Sequence, residues 1–236
     1  RLLREGSEHI TWDIGRKHPA TLFLIPKLRH LLVEAHVDIL HLRSRMPAWI
    51  GYLAWRGMDP ATRPRLVTTV HGLYSVNRYS AVMLRGERII AVSETTRDYI
   101  LHHYPGTDPA RIRVIPRGVE AGAYPFGFRP APEWLQAWRT AYPALAGQRL
   151  ITLPGRITRL KGHADFIGLV AALRRRGLPV HGLIVGGAEA RKAPYLRELE
   201  EMVARQDLCA HITFTGTRAD LREIMSVSDI VLALST

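Results

Sequence analysis

Short runs rich in β-branched and aliphatic residues alternate along this chain with stretches whose apolar positions recur every three or four residues. The first pattern reads as buried strand and the second as amphipathic helix. Strands are predicted over residues 9–14, 38–42, 66–70, 88–92 and 113–115, and then over 150–153, 181–185, 212–214 and 230–234. Helices are predicted over 22–35, 47–55, 76–84, 95–103, 164–176, 194–205 and 221–227. Such regular alternation is the signature of parallel α/β architecture. Ser93 or Glu94 stands where it can cap the helix at 95, and Asp220 where it can cap the helix at 221.

The pattern breaks over residues 121–147, which carry Pro125, Pro130, Pro132 and Pro143 with Gly122 and Gly127. Prolines so spaced interrupt helix and strand alike, leaving room for one short helical piece at 133–141. The chain is therefore expected to form a first domain over 1–120, a linker over 121–148 and a second domain over 149–236. Its first residues read as the tail of a helix, and it stops at Ser235-Thr236 just past a strong strand. Both domains are expected to be incomplete.

Composition adds exclusions. An apolar fraction of 47% and a charged fraction of 23% are those of an ordinary globular protein. No apolar run approaches the roughly 18–20 residues needed to span a bilayer. The single cysteine, Cys209, excludes an intrachain disulfide and multi-cysteine metal sites, and it fits a reducing compartment, so a cytoplasmic location is expected. None of the 11 histidines stands in H-E-x-x-H or an equivalent ligand spacing, so no metal is expected.

Charge changes the picture most. With 33 basic and 21 acidic residues the net charge is +12, which suits an anionic partner. No aromatic-plus-basic signature of a nucleic-acid module accompanies it, so nucleic acid is not expected. Residues 22–37 place Lys27, Arg29, His30 and Glu34 among apolar positions. That stretch reads first as a core-packing helix and second as one lying on an anionic bilayer surface.

In open parallel sheets, ligands bind outside the carboxyl ends of the strands. Reading those ends in order gives Arg43-Ser44-Arg45, His71-Gly72, Ser93-Glu94 and Pro116-Arg117-Gly118 in the first half. The second half gives Gly155-Arg156, Gly186-Gly187, Gly216-Thr217-Arg218 and Ser235-Thr236. Glycine recurs, letting backbone amides approach a ligand, and the charges are nearly all positive. A nucleotide diphosphate fits such a lining.

The sharpest element is Leu153-Pro154-Gly155-Arg156-Ile157-Thr158-Arg159-Leu160-Lys161-Gly162. Arg156 leaves a strand end and Lys161 precedes a helix, so two cations and the helix amides can surround one anion. Neither the phosphate loop G-x-x-x-x-G-K-[ST] nor the dinucleotide fingerprint G-x-G-x-x-G occurs.

The spacing G-R-x-x-x-x-K-G at Gly155–Gly162 resembles the donor-phosphate motif of glycosyltransferase family 4, the retaining group 1 transferases of the GT-B fold. His71-Gly72, Val92-Ser93-Glu94 and Arg117-Gly118-Val119-Glu120 resemble that family's landmarks in its first domain. Val185-Gly186-Gly187, Phe214-Thr215-Gly216 and Ser228-Asp229-Ile230-Val231-Leu232 resemble those in its second. The resemblance implies two Rossmann-like parallel-sheet domains facing a cleft, incomplete here at both ends. It implies sugar transfer, with retention, from a nucleoside-diphosphate sugar to a glycan or lipid-linked acceptor. By family habit that acceptor is a cell-envelope glycolipid, polysaccharide or lipopolysaccharide precursor.

It further implies that Gly155, Arg156 and Lys161 hold the donor diphosphate, with Gly186 beside the nucleotide and Thr217 and Arg218 against the base. His71 would lie near the transferred sugar, making His71, Arg156 and Lys161 the catalytic set, while Arg43 and Arg45 would face the acceptor or solvent. No metal or other cofactor is implied, since Arg156 and Lys161 can neutralise the diphosphate. A lipid-linked acceptor would place the protein at the inner face of a membrane.

Two departures stand out: Arg117 occupies a position where the family usually has asparagine, and the family's E-x(7)-E glutamates would fall beyond Thr236. The 236-residue chain is accordingly expected to transfer sugar poorly, an expectation that turnover at the rate of a longer chain would contradict. The rival readings are an epimerase or phosphorylase on the same scaffold, and a non-catalytic module binding polyanions or membrane.

Overall fold

The computed structural model describes residues 6–235. The helix tail read into the first five residues, and Thr236, lie outside them. The chain divides into two compact units, Arg1–Gly118 and Val119–Thr236.

In the first unit, α1 (Leu24–Glu34), β1 (Ile39–Leu42), α2 (Arg45–Arg56), β2 (Arg65–Val70), β3 (Arg88–Ala91), α3 (Glu94–His103) and β4 (Ile112–Val114) follow one another. The four strands form one parallel sheet in the order β1-β2-β3-β4. Its core lies on one sheet face, where Leu66, Ile89 and Ala91 pack against Ala48 of α2 and Ile100 of α3, all at most 1% exposed. Burying a large aliphatic side chain contributes roughly 1.5–3 kcal/mol, so this face holds the unit together. Ser93 caps α3, its Oγ accepting the Thr96 amide at 3.1 Å.

Two elements differ from expectation. Residues 9–14 are not a strand: Ile10 and Thr11 are exposed and no strand among the described residues lies beside them, and an unpaired extended segment gains nothing from its own backbone. The helix expected over 76–84 shrinks to a 3-10 turn at Ser80–Leu84. The Asn77 side chain accepts the Ser80 amide at 2.8 Å, and such local bonds compete with helix. The Trp49 indole holds the Tyr79 carbonyl at 3.0 Å.

The second unit continues with α4 (Pro132–Ala141), β5 (Arg149–Pro154), α5 (His163–Arg175), β6 (Val180–Val185), α6 (Ala193–Arg205), β7 (Ile212–Gly216), α7 (Leu221–Ser226) and β8 (Ile230–Val231). Its sheet, parallel throughout, has the order β7-β6-β5-β8. Phe166, Ile167 and Val170 of α5, with Leu199 of α6, cover one face over Ile184, each fully buried.

On the other face, Trp138 of α4 packs against Leu150, Leu183, Val185 and Ile224. Residues 121–147, read from sequence as a connection, therefore contribute a helix to the second unit's core. The reason is the aromatic spacing Trp134, Trp138, Tyr142, which lines one helix face; the rings of Trp134 and Trp138 stack at 5.2 Å. Asp220 precedes α7 but makes no side-chain cap; its carboxylate serves two other donors, described below. No helix among the described residues is long and apolar enough to cross a membrane.

Candidate functional site

The carboxyl ends of β5, β6 and β7 are knitted together by glycine. The β5–β6 ladder continues past the strands, Gly155 donating to Val185 O at 2.8 Å and Ile157 to Gly187 O at 3.0 Å. A Cβ at Gly186 would lie 1.9 Å from Gly155 O, and one at Gly187 would lie 2.3 Å from Thr217 Oγ1. Only glycine permits this approach, and the result is a floor made of backbone.

Gly186→Ala is accordingly expected to destabilise the second unit by about 2 kcal/mol or more. Gly168, in mid-α5 with open space around it, should instead tolerate alanine with a gain of about 0.5–1 kcal/mol. Urea-unfolding midpoints of the two variants check both signs.

Above that floor runs the segment from Gly155 to Gly162. Ile157, 1% exposed, drops into the core and anchors it. Arg159 ties its far side to α6, donating to both Glu198 carboxylate oxygens at 3.2 and 2.6 Å with its guanidinium 4.5 Å from the Tyr195 ring centroid. The turn Arg159–Lys161 closes on Gly162, whose φ of +67° is the left-handed region that glycine favours. A Cβ there would collide with Leu234 O at 2.5 Å. Gly162 is also the N-cap of α5, so no side chain bonds the first amides of this 13-residue helix.

Between these fixed points stand the two cations read from sequence. Lys161 lays its methylenes over Gly155, Cδ lying 3.5 Å from a Cβ built there, and its Nζ donates to Ser235 Oγ at 3.1 Å. Arg156 is exposed and donates to Glu189 Oε1 at 3.3 Å. An exposed pair of this kind contributes little, so an anionic ligand can displace it. Gly155, Arg156, Lys161 and Gly186 are thus brought together beside the α5 amides.

His163 was not singled out by sequence. It is fully buried as the first residue of α5, and its Nδ1–H donates to Thr158 O at 3.3 Å. Burial pulls its pKa below the usual imidazole range. A histidine after K-G carries no pattern that separates it from a surface one.

Thr217 meets the floor through its Oγ1 at Gly187, but Arg218 is engaged elsewhere. Its Nε and Nη2 donate to Asp220 Oδ1 and Oδ2 at 2.9 and 2.7 Å, and the Trp134 indole donates to the same Oδ2 at 2.8 Å. Arg218 and then Trp134 hold the Asp220 carboxyl down to about 2. In this structure Arg218 braces α4 against the loop before α7.

In the first unit, Arg43, His71 and Arg117 follow β1, β2 and β4 at the carboxyl end of the sheet. Arg117 Nη2 donates to His71 Nδ1 at 2.7 Å. Burial first, then the charges of Arg117, Arg43 and His41, push the His71 pKa down. Arg45 does not join them: it donates to Ser80 Oγ at 3.2 Å and lies over the rings of Tyr74 and Tyr79 at 5.0 and 5.5 Å. Among the described residues no group of three or more His, Cys, Asp or Glu side chains is placed to hold a metal ion.

Fold and site together define a class: a protein of two parallel α/β units, whose strand ends carry glycine backbone and cations. The chain belongs to glycosyltransferase family 4: it matches that family over residues 5–122 and the group 1 glycosyl transferases over residues 148–236. It is 29% identical to a glycosyltransferase of Rickettsia africae of known structure, with a TM-score of 0.79 over 99% of this chain and 61% of that one. It shares the fold of Anabaena Alr3699/HepE, solved in complex with UDP-glucose, at 21% identity and a TM-score of 0.75, over 92% of this chain and 58% of that one. It is 27% identical over 205 residues to a D-inositol 3-phosphate glycosyltransferase of Rhodococcus erythropolis, covering 78% of this chain and 45% of the relative. The chain thus spans about half the length of that curated relative.

Proposed function

We propose that the protein containing this chain transfers a sugar, with retention, from a nucleoside-diphosphate sugar to a glycan or lipid-linked acceptor of the cell envelope. The observation that carries this reading is the loop Gly155–Gly162. Its backbone is pinned at Ile157, Arg159 and Gly162, so Arg156, Lys161 and the uncapped α5 amides stand ready around one anion. Preorganised donors of this kind act where charge develops, here on the departing diphosphate. Family membership and the UDP-glucose complex of HepE support a nucleotide-sugar donor.

On this reading Gly155 and Gly186 let the diphosphate approach backbone, and Thr217 borders the nucleotide. Arg218 reaches the base only by leaving Asp220, so it acts through the position of α4 unless ligand draws it away. His71, neutral and with its Nε2–H as donor, serves a hydroxyl of the transferred sugar. Arg156 and Lys161 supply the positive charge that a divalent cation would otherwise give, and the reaction proceeds without a metal. The surface charge of +12 suits an acceptor held at an anionic membrane.

The test is acceptor dependence in the full-length protein with a radiolabelled nucleoside-diphosphate hexose. Label should appear in a product only when acceptor is added, and its anomeric configuration should match that of the donor. Interconversion of the nucleotide sugar without acceptor, or an inverted product, would overturn the assignment.

A further inference from the structure

Arg117 makes an unusually long reach along the carboxyl end of its sheet. It follows β4, yet its guanidinium reaches past the end of β3 to the imidazole after β2. Because an arginine only donates, His71 must accept at Nδ1 and carry its proton on Nε2. Arg43, after β1, is close enough to depress both His41 and His71. His41 in turn pairs its Nε2 with Thr69 Oγ1 at 2.7 Å.

Two guanidinium groups and two imidazoles therefore gather at the carboxyl end of the sheet, where β1 and β2 run side by side and Leu42 is in register with Thr68. Arg43 and Arg117 are exposed, and a Cβ added at Gly72, beside His71, would meet nothing within 4 Å. Two guanidinium groups held near one another repel, and an oxyanion placed between them removes that cost. The donors available are the Arg43 fork and the remaining N–H groups of Arg117, with His71 beside them as a reporter. They are enough for the several oxygens of a phosphate, to which guanidinium binds bidentately.

We infer that Arg43 and Arg117, arranged about His71, form a second phosphate-binding site and select an acceptor that carries a phosphate group. The inference rests on the reading that the first unit receives the acceptor. A soluble sugar phosphate and a lipid-linked phosphate share this chemistry.

The test follows the His71 imidazole by nitrogen-detected NMR in this chain while inorganic phosphate, glucose 1-phosphate, glucose or phosphatidic acid vesicles are added. Inorganic phosphate and a phosphate ester should shift His71 saturably, and glucose should not. Arg117→Gln and Arg43→Gln, both exposed positions that fold as glutamine, should each weaken that binding at least tenfold. Lys161→Ala should leave it unchanged. A response to the vesicles assigns the phosphate to a lipid-linked acceptor, and a response to glucose 1-phosphate alone assigns it to a soluble one; either supports the site. Equal response to glucose, unchanged affinity in both glutamine variants, or loss of the response in Lys161→Ala would overturn it. UDP titrated into Arg117→Gln reports the donor loop separately: if UDP fails to bind there and in the parent chain, the transferase reading fails, whatever phosphate does at His71.

Discussion

Lys161→Ala in the full-length enzyme is expected to lower kcat by about 10²–10³, the cost of removing one donor aimed at developing charge. Arg156→Ala should fall in the same range for kcat/KM, with more of its loss in KM. The difference follows from how each cation is held. Lys161 is fixed twice, by its methylenes over Gly155 and by Ser235 Oγ at 3.1 Å, so on the proposed reading its charge would be in place before the diphosphate departs. Arg156 lies in solvent against Glu189 and must exchange one anion for another when donor binds. On the proposed reading both charges act on one diphosphate, and the double variant should then lose less than the sum of the two single losses. Steady-state kinetics on the three variants reads all of this; an unchanged rate in Lys161→Ala would mean the loop binds something other than the leaving group.

The second unit should lose about 3 kcal/mol of stability between pH 7 and pH 4, largely through one imidazole. His181 sits inside β6, 2% exposed, with Nε2 against Thr213 Oγ1 at 2.8 Å. Burial, then the charges of His211 and Arg174, bring its pKa from 6.5 to about 4. A pKa lowered by folding means the neutral ring favours the folded state. That stability is present in full above the unfolded value of 6.5, and it is lost as pH falls toward 4. His163, also buried with a lowered pKa, adds in the same direction. Asp220, held to about 2, and Asp229, also lowered, contribute at lower pH, and the lowered Glu223 adds only near its unfolded value of 4.5, so the window from 6.5 to 4.5 belongs to the histidines. Urea unfolding at pH 7.5, 5.5 and 4.0 should show the falling midpoint, and His181→Gln should flatten it.

Much of this was legible in the sequence, and the pattern of what was not is physical. Strand ends could be read because apolar runs of four to six residues report sheet burial directly, and β2, β5 and β6 fall within two residues of their expected bounds. The loop Gly155–Gly162 could be read because its glycines and cations are consecutive. Ser93 could be read because a cap acts within three residues.

Partner choice across long separations could not. Nothing local tells Asp220 to accept from Trp134, 86 residues away, or Arg117 to select His71, 46 away. Arg45 and Arg159 look like any exposed arginine until the rings of Tyr74 and Tyr195 arrive beside them. The helix at 133–141 was legible between the prolines, but its place in the core was not, because the surface awaiting Trp138 is assembled from Leu150, Leu183, Val185 and Ile224.

The most direct test of the donor assignment is calorimetric titration of the full-length protein with UDP, UDP-glucose and other nucleoside diphosphates. Saturable binding of at least one, competed by inorganic diphosphate and weakened tenfold or more in Arg156→Ala and Lys161→Ala, is the predicted result. Binding that both variants retain in full, or no binding of any nucleoside diphosphate, would contradict it.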